Sequence, residues 1–255
     1  MIRFVSFKGL NEEESLKEIK RLKRTINKIL KDPIDYYGHK ILDDGSISYP
    51  TVSPSPETIL YWDRKFLRDG INHLENDLHV SYIRTKQEQK EKELRDKFKH
   101  IKKFKFNYNS WPHPETPTIV IEFIDNELKV ELEYPKYILD SFDYNPENND
   151  FYKKELLEMY KNHDDFKSSR YEKTKDSFLE ALYDFCFEKW KKKNVDYGIL
   201  DGAWFDIEIE YDNNLKKDIY EGLNSWPYGF DDLKDYMFSL AYQYLGGNED
   251  ENTWL

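Results

Sequence analysis

Apolar residues recur at three- and four-residue spacing in several stretches of the chain, which is the pattern of helices with one buried face. The first of these helices is the best bounded, because Asn11 and Glu14 form a capping box and Asp32-Pro33 ends the pattern. Another begins at Ser55-Pro56, a hydroxyl cap followed by a proline in the first turn. The predicted helices cover about 11–31, 56–75, 84–100, 151–161, 171–193 and 230–245.

Alternation of apolar and polar residues, or short apolar runs beside turn residues, mark other stretches as strands. Two pairs of them are joined by short turns, at Asp125-Asn126 and at 212–214, and therefore predict two hairpins. The predicted strands are 2–7, 104–108, 118–124, 127–134, 204–211 and 216–220. The fold class is α+β: an antiparallel sheet of about five strands built from two hairpins and packed with helices, after a mostly helical N-terminal region. We expect a boundary between 1–100 and 101–255, or one continuous domain.

Charge is unevenly distributed along the chain, which carries a net charge of −11. Residues 1–100 have a net charge of +3 and residues 101–255 one of −14. The acidic part repels phosphate, so nucleic acid is expected only at the basic helix 15–31, whose alternative explanation is an ordinary solvated helix face. The preferred partner is another protein with a basic surface.

The features that the sequence lacks lead to expectations about the protein's compartment and cofactors. A single cysteine, Cys186, excludes an intrachain disulfide and is expected to be buried. No stretch approaches a membrane span, so we expect a cytoplasmic protein with no membrane partner. The sequence contains no Gly-rich phosphate loop, nucleophile elbow or His-Glu-x-x-His pair, so no cofactor is expected.

One group of residues on the predicted sheet has candidate chemistry. Alternation along 204–211 places Phe205, Ile207 and Ile209 on the core side, packed against the last helix. The opposite face then carries acidic side chains beside a tryptophan: Trp204, Asp206, Glu208, Glu210, and from the other hairpin Glu131 and Glu133. Such a face suits docking to a basic protein, or imitation of nucleic acid. A divalent cation held by Asp201, Asp206, Glu208 and Glu210 is a second interpretation, and a plain solvated sheet face is a third.

The C-terminal part of the chain contains a recognisable run of residues. Asp201-Gly202-x-Trp204 opens a strand, and Gly222-x-Asn224-x-Trp226-Pro227-x-x-Phe230 leads into the last helix. This run resembles an uncharacterised bacterial protein family whose pattern is D-G-x-x-W, a hairpin, and G-x-N-x-Y-P-x-x-F. This chain has one residue fewer before Trp204 and a tryptophan in place of the tyrosine. The resemblance implies no activity. Physically, Gly222 suits a positive φ and Asn224 suits a turn.

Together these observations favour a non-enzymatic protein-interaction or regulatory module. The abundance of Lys, Asn, Tyr and Ile is typical of an A+T-rich genome and is consistent with a role in phage defence or counter-defence. The alternative is a divalent-metal-dependent hydrolase or nuclease that uses the sheet carboxylates named above.

Overall fold

The computed structural model describes residues 4–31, 40–41, 47–48, 56–110, 116–134, 150–161, 174–196, 198, 202–212, 214–227 and 229–246. The chain divides into two compact units, Met1–Thr85 and Lys86–Leu255. The charged helix predicted over 84–100 therefore belongs to the second unit rather than to the N-terminal region. No helix in the described part of the chain is both long and apolar enough to cross a membrane.

The first unit is mainly helical. Its elements are α1 (Glu12–Lys31), the short strands β1 (Lys40–Ile41) and β2 (Ile47–Ser48), α2 (Pro56–Asn72) and a π-helical turn at His73–Asp77. The predicted capping box is present. The backbone N–H of Asn11 donates to Glu14 Oε2, and the backbone N–H of Glu14 donates to Asn11 Oδ1, each at 3.0 Å. Residues 4–7 form no strand, contrary to the prediction for 2–7. Apolar faces of α1 and α2 meet in the core of this unit.

The second unit contains the main sheet and four helices within the described residues. The helices are α3 (Lys86–Phe98), α4 (Asp150–Lys161), α5 (Lys175–Asp184) and α6 (Phe230–Tyr244). The strands are β3 (Ile101–Ser110), β4 (Thr118–Ile124), β5 (Glu127–Glu133), β6 (Lys193–Val195), β7 (Ala203–Tyr211) and β8 (Asp218–Leu223). Both predicted hairpins are present, as β4–β5 and β7–β8.

The sheet is mixed and has six strands, which corrects the predicted antiparallel sheet of about five. Its order is β5-β4-β3-β7-β8-β6. All neighbours are antiparallel except β6, which pairs with β8 in parallel through Lys193–Val195. β6 was missed because it has only three residues and begins at the last position of the predicted helix 171–193. That helix in fact ends early: Cys186 adopts a left-handed conformation with φ of 59°, and a 3-10 turn follows at Phe187–Lys189.

One face of the sheet packs against the helices. Phe205, Ile207 and Ile209 are buried there in the same cluster as Leu233, Met237 and Leu240 of α6, as predicted. Cys186 is also buried, which confirms the expectation from its sequence context. Aromatic rings fill much of this core; the Phe205 and Phe230 ring centroids, for example, are 4.4 Å apart. Because the strands alternate, the polar residues between these positions point to the opposite face, called here the outer face.

Candidate functional site

The six candidate residues of the sheet do lie on the outer face, but in two separate groups. β7 contributes Trp204, Asp206, Glu208 and Glu210, and β5 contributes Glu131 and Glu133. Cross-strand partners share a face, and the register links Glu131 to Val120, Val120 to Lys105, and Lys105 to Glu208. Two strands lie between β5 and β7, so the groups are about 14 Å apart at the usual strand spacing. They do not form one cluster.

Lysines of β3 lie between the two acidic groups. Lys103 is registered with Glu122 on one side and Glu210 on the other, and forms an ion pair with Glu122. This hydrogen bond raises the pKa of Lys103 and lowers the pKa of Glu122. Lys105 is registered with Glu208 and binds Glu133 Oε2 at 2.8 Å. The β5–β3 part of the outer face is therefore a ladder of alternating charges that largely neutralises itself.

The β7–β8 part of the outer face has a different balance of charge. Asp206 is directly opposite Glu221, so two carboxylates face each other across neighbouring strands. Partial desolvation by surrounding protein atoms raises the pKa of Asp206, although its side chain is exposed, and the Glu221 and Glu208 carboxylates raise it further. Lys217 binds Glu208 at 3.1 Å. Lys193 is the registered neighbour of Glu221, yet neither Asp206 nor Glu221 forms an ion pair with any residue that the structure describes.

Apolar side chains border these carboxylates. Trp204 is registered with Leu223, and Ile219 with Glu208. Trp204 is 41% exposed and Ile219 37% exposed, which is high for large apolar side chains. We call the following set the β7–β8 patch: Trp204, Asp206, Glu208, Ile219, Glu221 and Leu223. It combines two carboxylates that form no ion pair with a described residue, Asp206 and Glu221, with accessible apolar surface.

The arrangement offers little to a divalent cation. Asp206, Glu208 and Glu210 alternate along one strand, which spaces their Cα atoms about 7 Å apart. The fourth predicted ligand, Asp201, lies outside the described residues. Among the residues that are described, no three His, Cys, Asp or Glu side chains are placed to hold a metal ion. The metal site stays a prediction that rests on the sequence alone.

A second polar cluster lies on the inner side of the sheet edge and was not predicted. Asp218 of β8 accepts from Lys97, Lys192 and Tyr211, each at 2.6 Å. Despite its burial, these three donors lower the pKa of Asp218. Both ammonium groups also lie over aromatic rings, Lys97 over Tyr211 and Lys192 over Tyr220. The cluster joins α3, β7 and β8, and the only sequence signal for it is an aspartate at a core-facing strand position.

The C-terminal motif residues have structural roles. A Cβ on Gly202 would overlap the Asn224 side chain. Asn224 itself has a φ of 53°, and its backbone N–H donates to the Ala203 carbonyl at 2.9 Å. Gly222 is required for space, because a Cβ there would overlap the Phe205 ring. The predicted positive φ is found at Asn224 and not at Gly222. Trp226 stacks on Phe230 with ring centroids 5.0 Å apart.

The first unit contains a polar cleft of about 670 Å³ beside the π-helical turn. His73 lines this cleft, and both of its ring nitrogens have a hydrogen-bond partner. Its Nδ1 lies 2.7 Å from Asp77 Oδ2 and its Nε2 lies 3.1 Å from the Leu10 carbonyl. Both neighbours are acceptors, so the ring satisfies both contacts only as the doubly protonated imidazolium. The hydrogen bond to Asp77 and then that to Leu10 raise the pKa of His73.

Comparison of the chain with protein-family models, with curated proteins and with solved structures finds no match. The resemblance of 201–233 to a bacterial family is therefore still a prediction, and the function must be argued from the geometry.

Proposed function

We propose that this protein is a non-enzymatic binding module that docks onto a basic surface of a partner protein through the β7–β8 patch. The observation that supports this most directly is the facing pair Asp206 and Glu221, neither of which forms an ion pair with a residue that the structure describes. On the β5–β3 part of the same face, lysines compensate the carboxylates. Desolvation and then repulsion from Glu221 raise the pKa of Asp206, and an incoming ammonium or guanidinium group would relieve the repulsion.

Apolar surface beside the carboxylates is the second support. Interfaces that bind specifically combine an aromatic or aliphatic anchor with a polar rim. Trp204 supplies the anchor, because its side chain is exposed. Its cross-strand neighbour Leu223 is partly buried and extends the apolar surface. Charge on the rim accelerates association and selects for a basic partner, while burial of the indole slows dissociation.

The test uses a defined cationic probe and isotope-labelled protein. An Arg/Leu-rich peptide is titrated against the full chain, and backbone and indole N–H shifts are followed by NMR. The expected result is saturable shifts at Trp204, Asp206 and Glu221, with an equally long Glu/Leu-rich peptide causing none. Ionic strength should weaken the binding, because the Debye length falls to about 8 Å at physiological salt.

Two charge-neutralising variants separate the patch from the rest of the face. Asp206→Asn/Glu221→Gln removes both charges of the facing carboxylate pair and should abolish the binding. Glu131→Gln/Glu133→Gln removes the same number of charges from β5, where lysines pair with both carboxylates, and should leave binding nearly unchanged. Equal losses in the two variants, or shifts that spread evenly over the outer face, would show that only general charge attraction is present.

The metal-dependent hydrolase remains the alternative from the sequence, and no geometric observation favours it over docking.

A further inference from the structure

The exposed side of α1 carries a straight row of cations. Its buried side consists of Ile19, Leu22, Ile26 and Ile29, with Ser15 at the N-terminal end. The exposed basic residues follow at spacings of three, four, four and three, and they are Lys17, Lys20, Arg24, Lys28 and Lys31. At 100° per residue these five positions fall within an arc of about 80°, and at 1.5 Å per residue they extend over about 21 Å. We call this row the α1 stripe.

Acidic residues of α1 lie outside most of this row. Glu12, Glu13 and Glu14 occupy the first turn, before the stripe begins. Of these, Glu13 is in line with the stripe and ends it on the N-terminal side. Glu18 binds Arg21 Nε at 2.7 Å and is therefore directed to a residue beside the stripe. The central three cations, Lys20, Arg24 and Lys28, have no acidic residue of α1 between them.

We propose that the α1 stripe binds the phosphate backbone of duplex nucleic acid without reading its sequence. Neighbouring cations are about 4.5 to 6 Å apart along the helix axis, and duplex DNA presents one charge per about 1.7 Å of its axis. Each cation can therefore find a phosphate without any rearrangement of the helix. Four of the five cations are lysines, which act as point charges on phosphate, whereas base recognition favours the bidentate geometry of Arg, Asn and Gln.

A lipid surface is the less suitable partner for this helix. Helices that lie in a membrane interface bury an apolar face in the lipid. Here the apolar face is already occupied, because Ile19 and Leu22 pack in one core cluster with Phe66, and Ile26 and Ile29 in another. Only Leu16 is an exposed large apolar residue on α1. The stripe thus offers charge without a free apolar face.

The charge of the rest of the chain sets the expected strength. Unit Met1–Thr85 has 14 basic and 13 acidic residues, so its net charge of +1 does not oppose a polyanion. Unit Lys86–Leu255 has a net charge of −12 and opposes the approach of a polyanion. Binding should therefore be at the weak end of non-specific affinities, with a Kd of about 10⁻⁴ M at physiological salt and a lower Kd at low salt.

Fluorescence anisotropy of the full chain with a labelled DNA duplex tests the proposal. Five phosphate contacts predict a slope of log K against log salt of about −4.5. Lys20→Gln/Arg24→Gln/Lys28→Gln should reduce the magnitude of this slope by about three. The matched control is Lys86→Gln/Lys90→Gln/Lys102→Gln, which removes three exposed charges from α3 and β3 and should keep the wild-type slope. Thermal melts of all three proteins establish that the variants are folded.

Each outcome decides for or against the proposal. A salt-dependent interaction that the α1 variant loses and the control keeps supports it, and equal affinity for two duplexes of different sequence supports the absence of base reading. No binding at low salt, or an equal loss in the control, overturns it. Tighter binding to phosphatidylserine vesicles than to DNA, lost in the same variant, also overturns it and assigns the stripe to a membrane surface. The result is independent of the β7–β8 patch, whose variants should leave DNA binding intact.

Discussion

Gly222→Ala is the substitution whose effect the structure defines most sharply. A Cβ at this position would overlap Phe205 Cε1 and would lie 2.5 Å from Cδ1 and 2.6 Å from Cζ of the same ring. The ring cannot move away easily, because Phe205 is only 1% exposed. The ring centroids of Phe230, Trp226 and Trp190 lie 4.4, 5.7 and 6.2 Å from its own. Adding one methyl group therefore overpacks a closed aromatic cluster.

Two opposing effects determine the magnitude. Overpacking of a core costs about 1 to 3 kcal/mol, and this site is among the tighter cases. Replacing glycine restricts the unfolded chain and returns about 0.4 to 1 kcal/mol. The net expectation is a loss of about 2 kcal/mol in the free energy of unfolding of the second unit. For a unit of this size, that corresponds to a fall in Tm of about 4 to 8 °C.

Urea denaturation followed by tryptophan fluorescence and circular dichroism measures the change. The matched control is Phe205→Leu, which removes the ring that Gly222→Ala would strike. In the Phe205→Leu background the glycine substitution should cost far less than in wild type, which gives a coupling free energy of at least about 1 kcal/mol between the two positions. Additive effects in this cycle would refute the argument, since they would mean that the cost of the alanine does not come from the ring.

Four further predictions concern charged groups. The raised pKa of His73 means that its stabilising contribution is present below the ordinary pKa of 6.5 and is lost as pH rises through the higher folded value; NMR titration of the ring should show this value, and Asp77→Asn should lower it. Asp218→Asn should destabilise the second unit by about 2 kcal/mol, because two half-buried ammonium groups lose their carboxylate. Asp206→Asn should have the opposite sign at pH 7 and stabilise by less than about 1 kcal/mol, since the residue is exposed and solvent screens its repulsion; a loss of stability there would contradict the like-charge argument. Millimolar Mn²⁺ or Mg²⁺ should leave the Tm of the wild type unchanged, whereas a rise that disappears in Glu208→Gln/Glu210→Gln would favour the hydrolase.

Periodicity predicted which side of each strand faces the core, and turn residues predicted the two hairpins, but nothing local predicted that β3 lies between them. The face of Phe205, Ile207 and Ile209 follows from alternation within one segment. The position of Lys103 and Lys105 beside Glu210 and Glu208 depends instead on the pairing of β3 with β7, two segments that are distant in the sequence. For this reason the acidic face predicted from sequence is, in the structure, partly a ladder of ion pairs.

Long-range contacts also explain the other differences. Asp218 contacts Lys97 and Lys192 only once three distant segments have packed together. No local sequence motif therefore predicts the cluster. The helix 171–193 was predicted too long because its apolar spacing continues past the left-handed residue Cys186. The best helix predictions, α1 and α6, are those in which caps or uninterrupted spacing decide the boundaries locally.

The central position of β3 has a consequence for synthesis of the chain. β3, β4 and β5 are consecutive and can pair as soon as they leave the ribosome, whereas β7 begins at Ala203, about a hundred residues after β3. At typical translation rates the inner edge of β3 waits roughly 5 to 20 s for its partner. An unpaired strand edge is an aggregation hazard, and lysines are a common protection against it. We expect Lys102, Lys103 and Lys105 to prevent this edge from pairing with other chains until β7 has been synthesised.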